Sequence, residues 1–161
     1  MLCFRLLIID ALTTLLSLHF RLVDGNIFEI KTKTHSVSVE RMDIHMVAAS
    51  HPIQVWYRPG NQSPVYVETY ENAFDDDVTG NGPNVATPLA FDTPIVIPAN
   101  TTYTFYVTTS QNGALALYYE FGTLLGQAYA SDDFLDINEG YQMRYSFSSP
   151  GQPRKWNGEF Q

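Results

Sequence analysis

The chain reads as an all-β protein, a single antiparallel β-sandwich of the jelly-roll or Greek-key type with about nine or ten strands. Three observations point there. Apolar residues recur at period two in short runs separated by Gly, Pro, Asn and Asp. Charged residues are only 16% of the chain, so Tyr, Thr, Ser and Asn carry much of its polarity, which suits an exposed β-surface better than a helical one. After residue 25 no amphipathic helix is legible. The best candidate, Tyr119 to Ser131, is interrupted by Gly122 and Gly126 and has room for one helical turn at most. A chain of 161 residues holds one domain with a real core and is short for two.

The N-terminal stretch MLCFRLLIIDALTTLLSL carries Arg5 and then an apolar run, as a signal peptide does, although Asp10 interrupts the run and no A-x-A site follows. The expected division is therefore a leader over residues 1–24 and a β-sandwich domain over 25–161. An ordinary N-terminal helix fits the same residues. The charge-free run after Asp10 is too short for a spanning helix, so no stable membrane insertion is expected once the leader is cleaved. The single cysteine, Cys3, lies in this leader, and a secreted chain without it would rely on its core alone for stability.

The strands then follow in order. In IFEIKTK, Phe28, Ile30 and Thr32 alternate with Glu29, Lys31 and Lys33, which predicts a strand with one wet face. In HSVSVERMDIHMV, Val37 and Val39 are in one phase and Met42, Ile44 and Met46 in the other. That shift predicts a β-bulge or corner near Glu40 and Arg41. Ile53 to Arg58 is a strand closed by Pro59-Gly60, and the spacing pairs it in a hairpin with PVYVETY, Pro64 to Tyr70. Phe74 to Asn84, FDDDVTGNGPN, has no periodicity and reads as an acidic loop. Ile95 to Ile97 is a short apolar strand. PAN turns the chain into Tyr103, Phe105 and Val107, which alternate with Thr and Tyr. Gln111-Asn112-Gly113 predicts a type I′ hairpin into ALALYYEF. FLDINEG, YQMRYSF and KWNGEF complete the chain.

The net charge is −8, and no Lys or Arg lies between Arg58 and Arg144, a span that carries eleven acids. Such a surface repels phosphate backbones and anionic lipid, so nucleic acid is excluded as a partner. It tolerates cations. Clustered carboxylates and amides supply the oxygens calcium takes, which makes Asp75, Asp76, Asp77 and Asn81, with Asn84 nearby, a candidate Ca2+ site. Their spacing is not that of an EF-hand, and neighbouring aspartates on an extended chain diverge, so a solvated acidic loop fits them as well. Asp132, Asp133, Asp136 and Glu139 form a second acidic patch with turn chemistry at Ser131-Asp132-Asp133. Asp43 and His45 share a strand face but make neither a metal set nor a triad. No motif of a hydrolase, zinc protease or nucleotide-binding loop occurs, and no pair among the carboxylates is singled out for glycoside chemistry.

Aromatic residues offer a binding surface instead. Adjacent residues on a strand face opposite ways, so Trp56-Tyr57 and Tyr118-Tyr119 each expose one ring, or bury it at an interface. Trp56, Tyr57, Tyr118, Tyr119 and Trp156 are thus candidate stacking residues for the apolar faces of sugars, against the plain alternative of β-propensity. Asn100-Thr101-Thr102 is an N-glycosylation sequon on an expected turn, whereas Asn61-Gln62-Ser63 is followed by Pro64.

GNIFEI at Gly25, VTGNGPNVATPL at Val78 to Leu89 and KWNGEF near the end, with TYTFYVT and LDINEG between them, resemble an extracellular module of marine bacteria and microalgae. That module opens on a G-N-M-F-D-[IV]-like strand and closes on an R-x-W-N-G-like strand. The resemblance spans residues 25–161. Ile27-Phe28-Glu29 departs mildly from it, and the aspartate run is not part of it. It implies a secreted or surface-attached, non-enzymatic module for adhesion or ligand binding, with an extracellular glycan or surface protein as partner. A small hydrolase or lyase acting on polysaccharide, or a purely structural module, are the alternatives.

Overall fold

The computed structural model describes residues 21–62, 69–111, 113–148 and 150–161. Residues 1–20 of the expected leader over 1–24 lie outside them. Twelve strands are present among the described residues: β1 (Arg21–Val23), β2 (Gly25–Thr32), β3 (Val37–Ile44), β4 (Ser50–Pro59), β5 (Glu71–Thr79), β6 (Thr87–Ile97), β7 (Thr102–Thr109), β8 (Leu117–Phe121), β9 (Ala128–Ser131), β10 (Leu135–Gln142), β11 (Pro153–Trp156) and β12 (Gly158–Phe160). The fold is all-β, two antiparallel sheets packed against each other, with no helix among the described residues. The large sheet runs β1-β8-β11-β10-β2-β7-β4-β5, with β9 also paired to β10, and the small one runs β12-β3-β6.

The core lies between the sheets. Phe28, Ile30, Ile53, Val55, Phe105 and Val107 come from the large sheet and Val39, Met42, Ile44, Leu89, Ile95 and Ile97 from the small one. Strand β6 shows the period-two signal clearly, with Thr87, Leu89, Phe91, Ile95 and Ile97 buried and the residues between them exposed. It is longer than the expected Ile95–Ile97, because the T-P-L segment continues the strand instead of looping.

The phase change in β3 is a bulge where the sequence places it. Register with β6 breaks between Val39 and Arg41. On the other side the amides of Glu40 and Arg41 both donate to the Gln161 carbonyl, at 2.9 and 3.0 Å, so two residues oppose one.

Three expectations are corrected. First, β2 has no wet face along most of its length. Glu29 is buried because Ile27, Tyr70, Tyr106 and Met143, with Trp56, Tyr141 and Phe147 against them, form a second apolar cluster on the outside of the large sheet. Secondly, the Asn-Gly turn does not make a β7–β8 hairpin. Strand β7 lies between β2 and β4, while β8 pairs with β1 and β11. Thirdly, the partner of β4 is Glu71–Thr79 rather than PVYVETY, most of which lies outside the described residues. In addition, Arg21–Val23 pairs with β8, and Val23 and Asp24 are buried, so the folded sheet begins before Gly25.

The two end motifs meet in the core. Phe28 of GNIFEI and Trp156 of KWNGEF stack at 4.6 Å with planes 7° apart. Gly158 is required where the chain turns into β12, since a Cβ there would come within 2.2 Å of the Trp156 ring and 2.3 Å of the Asp43 carbonyl.

Candidate binding surface

The five aromatic candidates separate into different environments. Trp156 and Tyr119 are core residues, each 4% exposed, and this corrects their expected role as stacking platforms. The Trp156 carbonyl accepts from Tyr129 Oη at 2.8 Å, and the Tyr119 ring lies under the Arg154 guanidinium at 4.6 Å. Trp56 is half-buried on the outer face of β4. Its Nε1 donates to Gln54 Oε1 at 3.2 Å and its edge meets Phe147. Tyr118 is half-buried and lines a small cavity with Asn26, Ile44, His45, Leu117, Trp156 and Asn157.

Tyr57 alone among the five belongs to a part-exposed aromatic stack. It follows Val55 on the inner face of β4, where Tyr103 of β7 lies 6.5 Å away at 12° and Phe105 lies 6.1 Å away at 27°. Directly opposite Tyr57 on β5 is Glu71, and the phenol donates to Glu71 Oε2 at 2.7 Å. Burial pushes the Tyr57 phenol up to about 12, with the hydrogen bond and charge of Glu71 acting the same way, so the hydroxyl stays protonated at neutral pH. The arrangement joins flat apolar faces to an exposed carboxylate acceptor. Tyr103 and Glu71 were not among the sequence candidates. The period of TYTFYVT carried a signal for Tyr103, but nothing local marks Glu71. It reaches Tyr57 because register shifts between Val55 and Trp56, where β5 accommodates Ala73 as an extra residue.

Of the expected acidic loop, Phe74 to Thr79 with its three aspartates is strand, and Gly80 to Asn84 is the connection that follows it. Asp75, Asp76 and Asp77 lie on β5, an edge of the large sheet, and all three are exposed. Asp75 Oδ2 accepts from Gln54 Nε2 at 2.9 Å and Asp76 Oδ1 accepts from the Asp77 amide at 2.7 Å. Asn81 closes the following turn, its Nδ2 donating to the Ala86 carbonyl at 2.7 Å and its amide to Thr87 Oγ1 at 3.0 Å. Successive strand residues face opposite sides, so the three aspartates do not converge with Asn81 on one point. Among the described residues no group of three or more His, Cys, Asp or Glu is placed to hold a metal ion. In the second acidic patch Asp132 Oδ1 accepts from the Phe134 and Leu135 amides, both at 2.8 Å, which is turn chemistry as expected. Asp136 pairs with Lys33 at 3.2 Å.

Four carboxylates are buried among the described residues: Asp24, which accepts from the Gly113 amide at 3.3 Å, Asp43, and the two glutamates. Glu29 accepts from the Gln62 amide at 2.9 Å and from Asn138 Nδ2 at 3.2 Å. Glu139, 2% exposed, accepts from the amides of Thr123 and Leu124 at 2.5 and 2.8 Å. Each is engaged in holding a loop against the large sheet, which leaves neither directed at a substrate. Asp43 and His45 stand at the end of β3. Asp43 is bound by Arg41 at 3.4 Å and Gln161 at 3.1 Å, while burial holds His45 below its ordinary value.

Comparison of the chain with protein-family models, with curated proteins and with solved structures returned no match.

Proposed function

We propose that this protein is a secreted or cell-surface binding module, non-enzymatic, that takes an extracellular carbohydrate on the stack formed by Tyr57 and Tyr103 with Glu71 at its edge. The observation that carries this reading is the near-parallel pair of half-buried tyrosines beside an exposed carboxylate on adjacent strands. A pyranose offers an apolar C–H face to such rings and hydroxyl donors to such an acceptor, and rings fixed on a sheet lose little freedom on binding. The leader-like N-terminus and the resemblance to an extracellular module agree with the compartment. The polysaccharide-cleaving alternative is weaker, because Glu29 and Glu139 both spend their oxygens on loop groups.

The test is a glycan array followed by calorimetry on the best hit. Y57A and Y103A should each weaken binding by tenfold or more, and Y57F, which keeps the ring, should lose less. An array without hits, or full binding by both alanine variants, would remove the carbohydrate reading.

A further inference from the structure

Asn100 begins the only Asn-x-Thr sequence in the chain, and the fold presents it in an unusual way. It occupies the turn from β6 to β7, is exposed, and has φ 55°, a left-handed conformation that asparagine tolerates better than most residues. The backbone around it is pinned. The Asn100 amide donates to the Lys33 carbonyl at 2.7 Å, and the Thr101 amide donates to Thr32 Oγ1 at 3.0 Å. Thr101 Oγ1 donates to the Pro98 carbonyl at 2.6 Å. Every one of these bonds uses Asn100 backbone or Thr101. The Asn100 side-chain amide and the Thr102 hydroxyl have no hydrogen-bond partner among the described residues. The turn is thus held by its neighbours while the acceptor group points out of the packing.

We propose that Asn100 is an N-glycosylation site. The Asn100 Nδ2 attacks the anomeric carbon of a lipid-pyrophosphate-linked oligosaccharide. A C–N bond forms, the anomeric C–O bond to the pyrophosphate breaks, the amide loses one proton, and the lipid pyrophosphate leaves. The Thr102 hydroxyl, two residues on, hydrogen-bonds the amide in the acceptor conformation. Because the folded turn bonds the Asn100 backbone to Lys33, transfer takes place on the extended chain before the sheet closes, and the folded turn then carries the glycan in solvent without loss of a bond. Asn61-Gln62-Ser63 is the poorer acceptor. Pro64 follows it, and Gln62 is buried with its amide on Glu29 and its Nε2 on the Glu139 carbonyl at 3.2 Å. The modified Asn100 lies just before β7 begins, three residues ahead of Tyr103, so the glycan would flank the binding stack.

This inference rests on the secreted reading, and the experiment separates the two. The full chain is translated with endoplasmic-reticulum microsomes, and protease protection reports translocation independently of glycosylation. The expected result is a protected chain with one mobility shift that a glycosidase removes. That shift should be lost in N100Q and in T102V, which keeps Asn100 in its left-handed turn, and retained in N61Q. A protected chain with no shift, or a shift that survives N100Q and T102V, overturns the site while leaving secretion intact. An unprotected chain overturns both.

Discussion

Phe28 of the second strand and Trp156 of the eleventh lie face to face, 4.6 Å apart and 7° from parallel, and Phe160 leans on both at 6.0 and 4.7 Å. These rings bring the first and last motifs of the domain into one packed unit. Truncating either should cost about 3–5 kcal/mol, the usual loss for a large buried aromatic. Urea unfolding of F28A and W156A reads this directly. A loss under 1 kcal/mol in both would show that the stack is not a centre of the core.

The three aspartates on β5 have a physical role that needs no metal. An edge strand offers unpaired backbone groups to any other strand, and like charges along it oppose edge-to-edge pairing. Replacing Asp75, Asp76 and Asp77 by threonine, a good strand former, should leave the melt nearly unchanged and shift light scattering toward oligomers. A variant that stays monomeric at high concentration would remove this explanation. A calcium titration reads the same strand. With Asn81 committed to its turn, added calcium followed by excess EDTA should leave the melting temperature where it was.

Glu139 holds the loop from Gly122 to Gln127 through two backbone amides. A hydrogen bond to a charged group contributes about 1.5–3 kcal/mol. E139A should therefore lower stability by about that much and speed exchange of the Thr123 and Leu124 amides. Unchanged exchange at both would show that the loop is held by something else.

His45 gives the fold an acid-sensitive point. Burial lowers its folded value below 6.5, and the charges of Glu159 on β12 and Asp43 on β3 offset this only in part. Asp43 is itself paired with Arg41. The unfolded chain then binds a proton that the folded chain refuses, so stability falls as pH drops below 6.5 and stops falling below the folded value. One proton limits the slope to about 1.4 kcal/mol per pH unit. Melts of wild type and H45N across this window should converge at low pH and separate toward neutrality. Parallel curves would exclude His45 as the group responsible.

Much of the fold was legible along the chain because period-two burial is a local signal. The strands at Phe28, Ile53 and Tyr103 and the bulge at Glu40–Arg41 all follow from which side chains alternate. The pairings were less legible. Asn112-Gly113 read as a hairpin because the turn preference is local, yet strand β7 is claimed on both sides by β2 and β4. The Phe74–Asn84 segment looked like a loop because three aspartates have poor strand propensity. Its place at an edge, where Asp side chains reach solvent, is what makes a strand acceptable there.

The sequence by itself determined the all-β class, the acidic surface, the positions of most strands and the register break in β3. Each depends on residues close together in the chain, through side-chain alternation, turn chemistry or charge. Only the tertiary structure decided which aromatic residues are core and which are surface. Tyr119 and Trp156 cannot be told from Tyr57 by neighbours in sequence, because a strand has two faces and the chain does not say which of them another layer will cover. The second apolar cluster outside the large sheet buries Glu29 for that reason. Glu71 meets Tyr57 for a related one, since partners across a sheet are set by strand order and register, over separations that no local pattern records.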